Sequence, residues 1–111
     1  MKLIKKTEGV VYQAVDHFNM WGALKVKEGI SQRTVVSLSH FLPDGGAKMK
    51  PSTRERLYFI ITGSITVTSE TGEEFVCDEG DAIYIPPNEA RSMSVNNNLP
   101  ATILVVVVRV E

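Results

Sequence analysis

The stretch that decides the fold is PDGGAKMKPSTRERLYFIITG, residues 43–63. It opens with a Pro-Asp-Gly-Gly cluster that predicts a turn, because proline fixes φ and glycine supplies positive φ. A polar, cation-rich run follows at residues 47–56, and a β-branched and aromatic strand at residues 57–62 ends at Gly63. Polar side chains that lead into a buried strand often line a pocket, but an exposed edge segment shows the same pattern. These residues alone leave both interpretations open.

Composition limits the class of protein. The 111 residues suit one domain, residues 1–111, and a chain of this size buries about two-thirds of its unfolded surface. The net charge is −1 with scattered charges, so we expect no nucleic-acid partner. The longest apolar run, residues 103–108, is too short to cross a membrane, and residues 1–20 lack the apolar core of a signal peptide. The single Cys77 cannot form an internal disulfide, which favours a cytoplasmic location.

Segments rich in β-branched and aromatic residues alternate with turn residues at a spacing of roughly 8–12 residues. No window shows the roughly 3.6-residue period of an amphipathic helix. We predict a loop at residues 16–22 and strands at residues 10–14, 23–26, 32–42, 57–62, 64–69, 74–77, 82–86, 91–95 and 101–110. The last strand is apolar throughout, which predicts burial on both faces. The pattern indicates an all-β fold closed as a barrel or two-sheet jelly roll, because closure removes free strand edges.

Two segments resemble the paired motifs of the cupin family. The glycine-to-glycine frame of the first motif falls on residues 45–63, and the second motif falls on GDAIYIPPNEAR, residues 80–91. The resemblance covers roughly residues 33–108. It implies a double-stranded β-helix (jelly-roll) barrel with a core at about residues 31–110. The N-terminal extension, residues 1–30, would carry short strands that are candidates for exchange between two chains.

The family's metal ligands do not carry over to this chain. Metal-binding cupins use a histidine pair and a glutamate from the first motif and a histidine from the second. Here the pair falls on Lys50 and Ser52, or on Met49 and Pro51 if the spacing shifts by one. The glutamate falls on Arg56, one position after Glu55, and the last histidine on Arg91. Lysine and arginine cations only donate hydrogen bonds, whereas a divalent metal needs lone pairs. We therefore predict no cofactor and no metal at this site.

A non-standard metal site is the alternative. Two histidines and one carboxylate can form a facial triad, and the candidates are His40, His17 and Glu55. Glu55 would have to turn inward through a β-bulge. The spacing of these three residues does not by itself indicate a ligand set.

The substituted positions predict an anion site. If Arg56 and Arg91 point inward, two guanidinium groups stand at the barrel mouth and match a carboxylate bidentately. Tyr58 shares the face of Arg56 because side chains alternate along a strand. The predicted ligand-binding residues are Arg91, Arg56, Lys50, Ser52, Tyr58 and His40. The competing interpretation is that Arg56 pairs with Glu55 or Glu89 and faces solvent.

The sequence therefore predicts a barrel that binds a small anionic organic molecule, such as a carboxylate, without metal. Catalytic residues stay unknown, because no nucleophile or triad is recognisable around Cys77, Ser52 or Ser39. The alternative function, which the resemblance implies, is a metal-dependent isomerase, lyase or dioxygenase. We also predict a homodimer that buries Trp21 or its apolar neighbours, although these residues could instead close the end of their own barrel.

Overall fold

The computed structural model describes residues 1–27 and 29–109, and it confirms the predicted all-β jelly roll. The described residues form one nine-stranded sheet that curls into a nearly closed barrel. Its strands are β1 (Val10–Tyr12), β2 (His17–Val26), β3 (Thr34–Lys50), β4 (Glu55–Thr62), β5 (Ile65–Ser69), β6 (Glu74–Cys77), β7 (Ala82–Ile85), β8 (Arg91–Val95) and β9 (Ala101–Val108). The predicted end of the last strand at residue 110 lies outside the described residues. No helix among the described residues is long and apolar enough to cross a membrane.

Strand β3 connects the two halves of the barrel. The sheet order is β6-β5-β8-β3-β9-β4-β7, with β2 paired to β3 and β1 paired to β2. The first half of β3 pairs with β9, from Thr34 opposite Val108 to Phe41 opposite Ala101. Its second half pairs with β8, where Lys50 lies opposite Arg91. The N-terminal strands thus fold onto their own chain, and their exchange between two chains stays a prediction.

The Pro-Asp-Gly-Gly cluster is not a turn, so that prediction is wrong. Strand β3 continues through it, and the only unusual backbone torsion there is a positive φ of 63° at Asp44. A Cβ atom at Gly46 would overlap the carbonyl oxygen of Met93 on β8. Glycine is present at this position because two backbones approach closely, which is a different use of glycine from a turn.

The loop predicted at residues 16–22 is also wrong, because β2 spans His17–Val26. Asn19 has a positive φ of 49°, and the register with β3 shifts between Phe18 and Met20. The aromatic and polar residues here form an irregular strand, since long-range pairing with β3 overrides the weak local propensity.

Along β4 and β8, the side chains that face the barrel interior change from apolar at one end of the strand to polar at the other. On β4, Ile60, Tyr58 and Arg56 face inward and are buried, while the residues between them are exposed. On β8, Met93 and Arg91 face inward in the same way. The largest fully buried side chains are Phe41, Ile60, Ile65 and Ile103. The hydrophobic core therefore fills one part of the barrel and leaves its polar part for a site. On β9 only Ala101 and Ile103 are buried and the other six residues are half-buried, so the predicted burial on both faces is confirmed only in part.

Candidate ligand-binding site

A cavity of about 170 Å³, here called the lumen cavity, occupies the polar part of the barrel. Its polar lining includes His17, Arg56, Tyr58 and Arg91, and its apolar wall includes Phe41, Ile103, Val105 and Val107. A second cavity of about 250 Å³, here called the mouth cavity, is lined by Asp16, Lys50 and Ser52 and shares His17, Arg56 and Arg91 with the first. The structure thus brings five predicted ligand-binding residues, all except His40, to these two cavities, which are called connected here because they share three lining residues.

Both arginines are buried, with Arg56 5% exposed and Arg91 7% exposed. Arg56 donates from Nη2 to the backbone carbonyl oxygen of Glu89 at 2.6 Å, and its buried Nε has no hydrogen-bond partner. Arg91 donates from Nε to the Tyr58 hydroxyl at 3.0 Å and from Nη1 to the carbonyl oxygen of Lys48 at 3.3 Å. The competing interpretation, in which Arg56 points to solvent and pairs with an acid, is therefore wrong.

Neither buried arginine has an acidic side chain within ion-pair distance among the described residues, although the charge of Glu89 acts on Arg56 and by itself raises its pKa. Within residues 1–27 and 29–109, the ion pair that the structure shows is Lys50 with Asp16, at the mouth. Burial lowers the pKa of Arg56, and the nearby charge of Arg91 acts in the same direction. Burying an ion without a counter-charge costs several kcal/mol, on the order of the whole effect of a severe point mutation. The site is electrostatically complementary to an anion.

His17 adds a neutral acceptor to this cationic site. Its Nδ1 lies 2.7 Å from the carbonyl oxygen of Val15, which can only accept, so Nδ1 carries the proton. The other ring nitrogen, Nε2, then holds a free lone pair when the ring is neutral. Burial lowers the pKa of His17, and the charges of Arg91 and Arg56 lower it further. The ring is therefore neutral at pH 7 and can accept a proton or a hydrogen bond from a ligand.

Lys50 and Ser52 lie at the mouth, away from the deepest part of the site. The Lys50 ammonium group is half exposed and donates to the Asp16 carboxylate at 2.6 Å, which lowers the pKa of Asp16. The Ser52 hydroxyl accepts a hydrogen bond from the backbone amide of Arg54. The charge of Lys50 is thus already partnered, unlike the charges of Arg56 and Arg91.

His40 and Glu55 are placed elsewhere. His40 lies outside the barrel, where its ring stacks on Trp21 at a centroid distance of 4.3 Å and Nδ1 lies 3.0 Å from the Thr102 hydroxyl. Glu55 pairs regularly with β9 and accepts a hydrogen bond from the exposed Tyr84 hydroxyl at 3.2 Å. The alternative triad of His40, His17 and Glu55 is not assembled. No cluster of three potential metal-ligating histidine, cysteine, aspartate or glutamate residues occurs among the residues that the structure describes.

Sequence reasoning missed several residues of the lumen cavity. His17 was placed in a loop, and Tyr12, Ser37 and Ser39 were not assigned to the site, although all four line it. The Tyr12 hydroxyl donates to the Ser37 hydroxyl at 3.1 Å, which ties β1 across the cavity wall. Alternation along β3 could have identified Ser37 and Ser39, because they share a face with the core residue Phe41.

Comparisons with known proteins agree with the fold. A protein-family model described as Cupin domain matches residues 37–107. The beta-D-galactosidase Rv1717 of Mycobacterium tuberculosis is 30% identical over 109 residues, which cover 96% of this chain and 93% of that protein.

Two solved structures share the architecture. The polyketide cyclase RemF from Streptomyces resistomycificus superposes with a TM-score of 0.84 and 18% identity, covering 97% of this chain and 79% of that one. A predicted oxalate decarboxylase from Thermotoga maritima gives a TM-score of 0.83 and 13% identity, covering 98% and 100% of the two chains. At these identities the likeness establishes the fold alone.

The state of His17 can be measured by NMR titration of its ring. We expect a pKa below 6.5 in the folded protein, and we expect Arg91→Gln to raise it because one repelling cation is removed. His40 is the internal control, since burial alone lowers its pKa and the substitution should leave it unchanged.

The lowered pKa of His17 makes the stability of the folded protein depend on pH. The folded state binds fewer protons at His17 than the unfolded chain, so this contribution to stability is present above about pH 6.5. It is lost as the pH falls through the folded-state value. A His17 pKa at or above 6.5, or no response to Arg91→Gln, would contradict this description of the site.

Proposed function

The chain belongs to the cupin family, and on that premise we propose that its barrel binds a small organic anion whose carboxylate lies between Arg56 and Arg91. One observation carries this proposal: both guanidinium groups are buried and neither has an acidic partner among the described residues. A bound carboxylate would supply the missing charge in a low-dielectric site, where charge-assisted hydrogen bonds are strongest.

The hydrogen-bonding groups of the site suit a carboxylate. The unpaired Nε of Arg56 offers one buried donor, and the fork of the Arg91 guanidinium offers a planar, bidentate surface. The Tyr58 hydroxyl accepts a hydrogen bond from Arg91 Nε and therefore lies beside the same guanidinium group. His17 Nε2 is an acceptor, which favours a ligand that also carries a hydroxyl, amine or acidic C–H group.

A resident metal does not fit these residues. His17 is the only histidine, cysteine, aspartate or glutamate side chain that lines the lumen cavity in the described part of the chain, and it stands beside two guanidinium cations. One imidazole cannot hold a divalent ion there against that repulsion. We therefore propose that binding uses no metal. Stoichiometric zinc, iron, manganese or nickel retained after dialysis would favour the metal-dependent alternative.

Galactoside hydrolysis is a second candidate, favoured by the 30% identity to Rv1717 over nearly the whole chain. Most glycosidases need a pair of carboxylic groups flanking the scissile bond. In the described residues, the lining of the two connected cavities contains one carboxylate, Asp16, which is bonded to Lys50. Release of nitrophenol from nitrophenyl β-D-galactoside, abolished by Asp16→Asn, would favour this candidate over simple anion binding.

We also propose that two chains pair through the outer face of the barrel. Two rows of apolar side chains cross this face in register, Val36–Val106–Leu57–Tyr84 and Leu38–Leu104–Phe59–Ala82. Leu57 and Phe59 are 39% and 41% exposed, and Trp21 lies in the next row at 42%. A continuous apolar sheet face of this kind suits an isologous contact with a second copy.

Anion binding can be tested by calorimetric titration with sodium acetate, at an ionic strength matched with sodium chloride. We expect saturable binding that stabilises the folded protein, with Arg91→Gln weakening it about 30-fold, since a hydrogen bond to a charged group contributes roughly 2 kcal/mol. Arg54→Gln is the matched control, because Arg54 lines neither connected cavity and should bind acetate normally. Acetate binding that does not saturate, or unchanged binding by Arg91→Gln, would overturn the proposal.

Pairing can be tested by size-exclusion chromatography with light scattering. The wild type should run as a dimer and Phe59→Lys as a monomer, because the introduced charge would be buried in the contact. Val76→Lys, at a position 62% exposed on β6, should stay dimeric. A monomeric wild type at micromolar concentration would remove the support for this interface.

A further inference from the structure

We propose that a separate apolar pocket at the open edge of the barrel holds the hydrocarbon part of the anion, an aryl or short branched alkyl group. This inference rests on the proposed function, because the carboxylate of the same molecule would lie on Arg91. The pocket, here called the edge pocket, has a volume of about 160 Å³.

The edge pocket exists because the barrel does not close completely. Strands β6 and β7 are the two ends of the sheet path, and they do not pair with each other. The pocket lies beside these strands and is lined by Val67 of β5, Phe75 of β6, and Ile83 and Ile85 of β7. Its lining also contains polar groups, namely Ser69, Glu89 and Arg91.

Phe75 indicates that the pocket is an unfilled apolar site. It lies opposite the buried Val67 and shares its strand face with Cys77, which is 5% exposed, so it belongs to the inner face of β6. Nevertheless Phe75 is 41% exposed, because no strand covers it on the β7 side. Contact with an apolar ligand group would remove this exposed aromatic surface from water, which is energetically favourable.

Arg91 connects this pocket with the anion site, because it lines the edge pocket, the lumen cavity and the mouth cavity. Ile85, in the pocket wall, lies directly opposite Arg56 on β4. A carboxylate between the two guanidinium groups would therefore be adjacent to the apolar wall. Glu89 contributes a negative charge to the lining, which disfavours a dianion whose second carboxylate enters this pocket.

The volume limits the size of the group. An engineered apolar cavity of about 150 Å³ in another protein binds benzene. The edge pocket therefore has room for one six-membered ring, and a larger group would extend beyond it into solvent. The ligand class that follows is a monocarboxylate with one ring or a short branched chain.

Calorimetric titration of the full chain with acetate and with phenylacetate tests this inference. We expect phenylacetate to bind at least tenfold more tightly than acetate. Phe75→Ala should weaken phenylacetate binding about five- to tenfold and leave acetate binding unchanged. Val76→Ala, on the opposite face of the same strand, is the control and should change neither. Ile83→Phe, which fills the pocket from the other wall, should reduce phenylacetate affinity to the level of acetate.

The outcomes separate the two proposals. If neither acid binds the wild type, the proposed function fails and this inference fails with it. If acetate binds but phenylacetate binds no more tightly, the inference about the edge pocket is wrong while the proposed anion binding stands. The same holds if Phe75→Ala and Ile83→Phe both leave the ratio of the two affinities unchanged.

Discussion

The candidate site depends on the burial of two arginines, Arg56 and Arg91, which form no ion pair with an acidic side chain among the described residues. Alternation of side chains along the strands places both inside the barrel. Arg56 lies two residues from the buried Tyr58 on β4, and Arg91 lies two residues from the buried Met93 on β8. Carbonyl oxygens and one hydroxyl accept some of their hydrogen bonds but supply no counter-charge. In a low-dielectric interior such an arrangement is unfavourable by itself. It is the kind of local conflict that proteins retain at functional sites.

The remainder of the barrel offsets this unfavourable term. Phe41, Ile60, Ile65 and Ile103 are almost fully buried in the apolar part of the same lumen. Removing such side chains from water contributes roughly 1.5–3 kcal/mol each, so the core can tolerate a destabilising site. The change from apolar to polar side chains along the inner faces of β4 and β8 therefore has two consequences. One end of the interior stabilises the fold, and the other end is left polar, with cavities that a ligand can complete. The neutral ring of His17 shares this polar end, where both arginines disfavour its protonation.

Much of the fold could be predicted from the sequence, because local patterns determine it. The strands at residues 74–77 and 91–95 have the predicted bounds. The motif frames raised an inward direction of Arg91 as one of two interpretations, and Arg91 is buried. The errors concern long-range pairing. Residues 43–46 continue a strand because β8 approaches them, and His17 reaches the cavity because β2 pairs with β3. His40 faces outward because it alternates with Phe41, a consequence of register that local composition does not reveal. The edge pocket depends on which strands fail to pair, so no local pattern predicts it.

The most direct test of the central claim is anomalous scattering from crystals soaked in sodium bromide. A monovalent anion should occupy the space between the two guanidinium groups, since these are buried cations without an acidic partner in the described structure. We expect a strong bromide peak within hydrogen-bonding reach of Arg56 and Arg91 that is absent from Arg91→Gln crystals. Bromide bound only at surface lysines, with no peak inside the barrel, would contradict it.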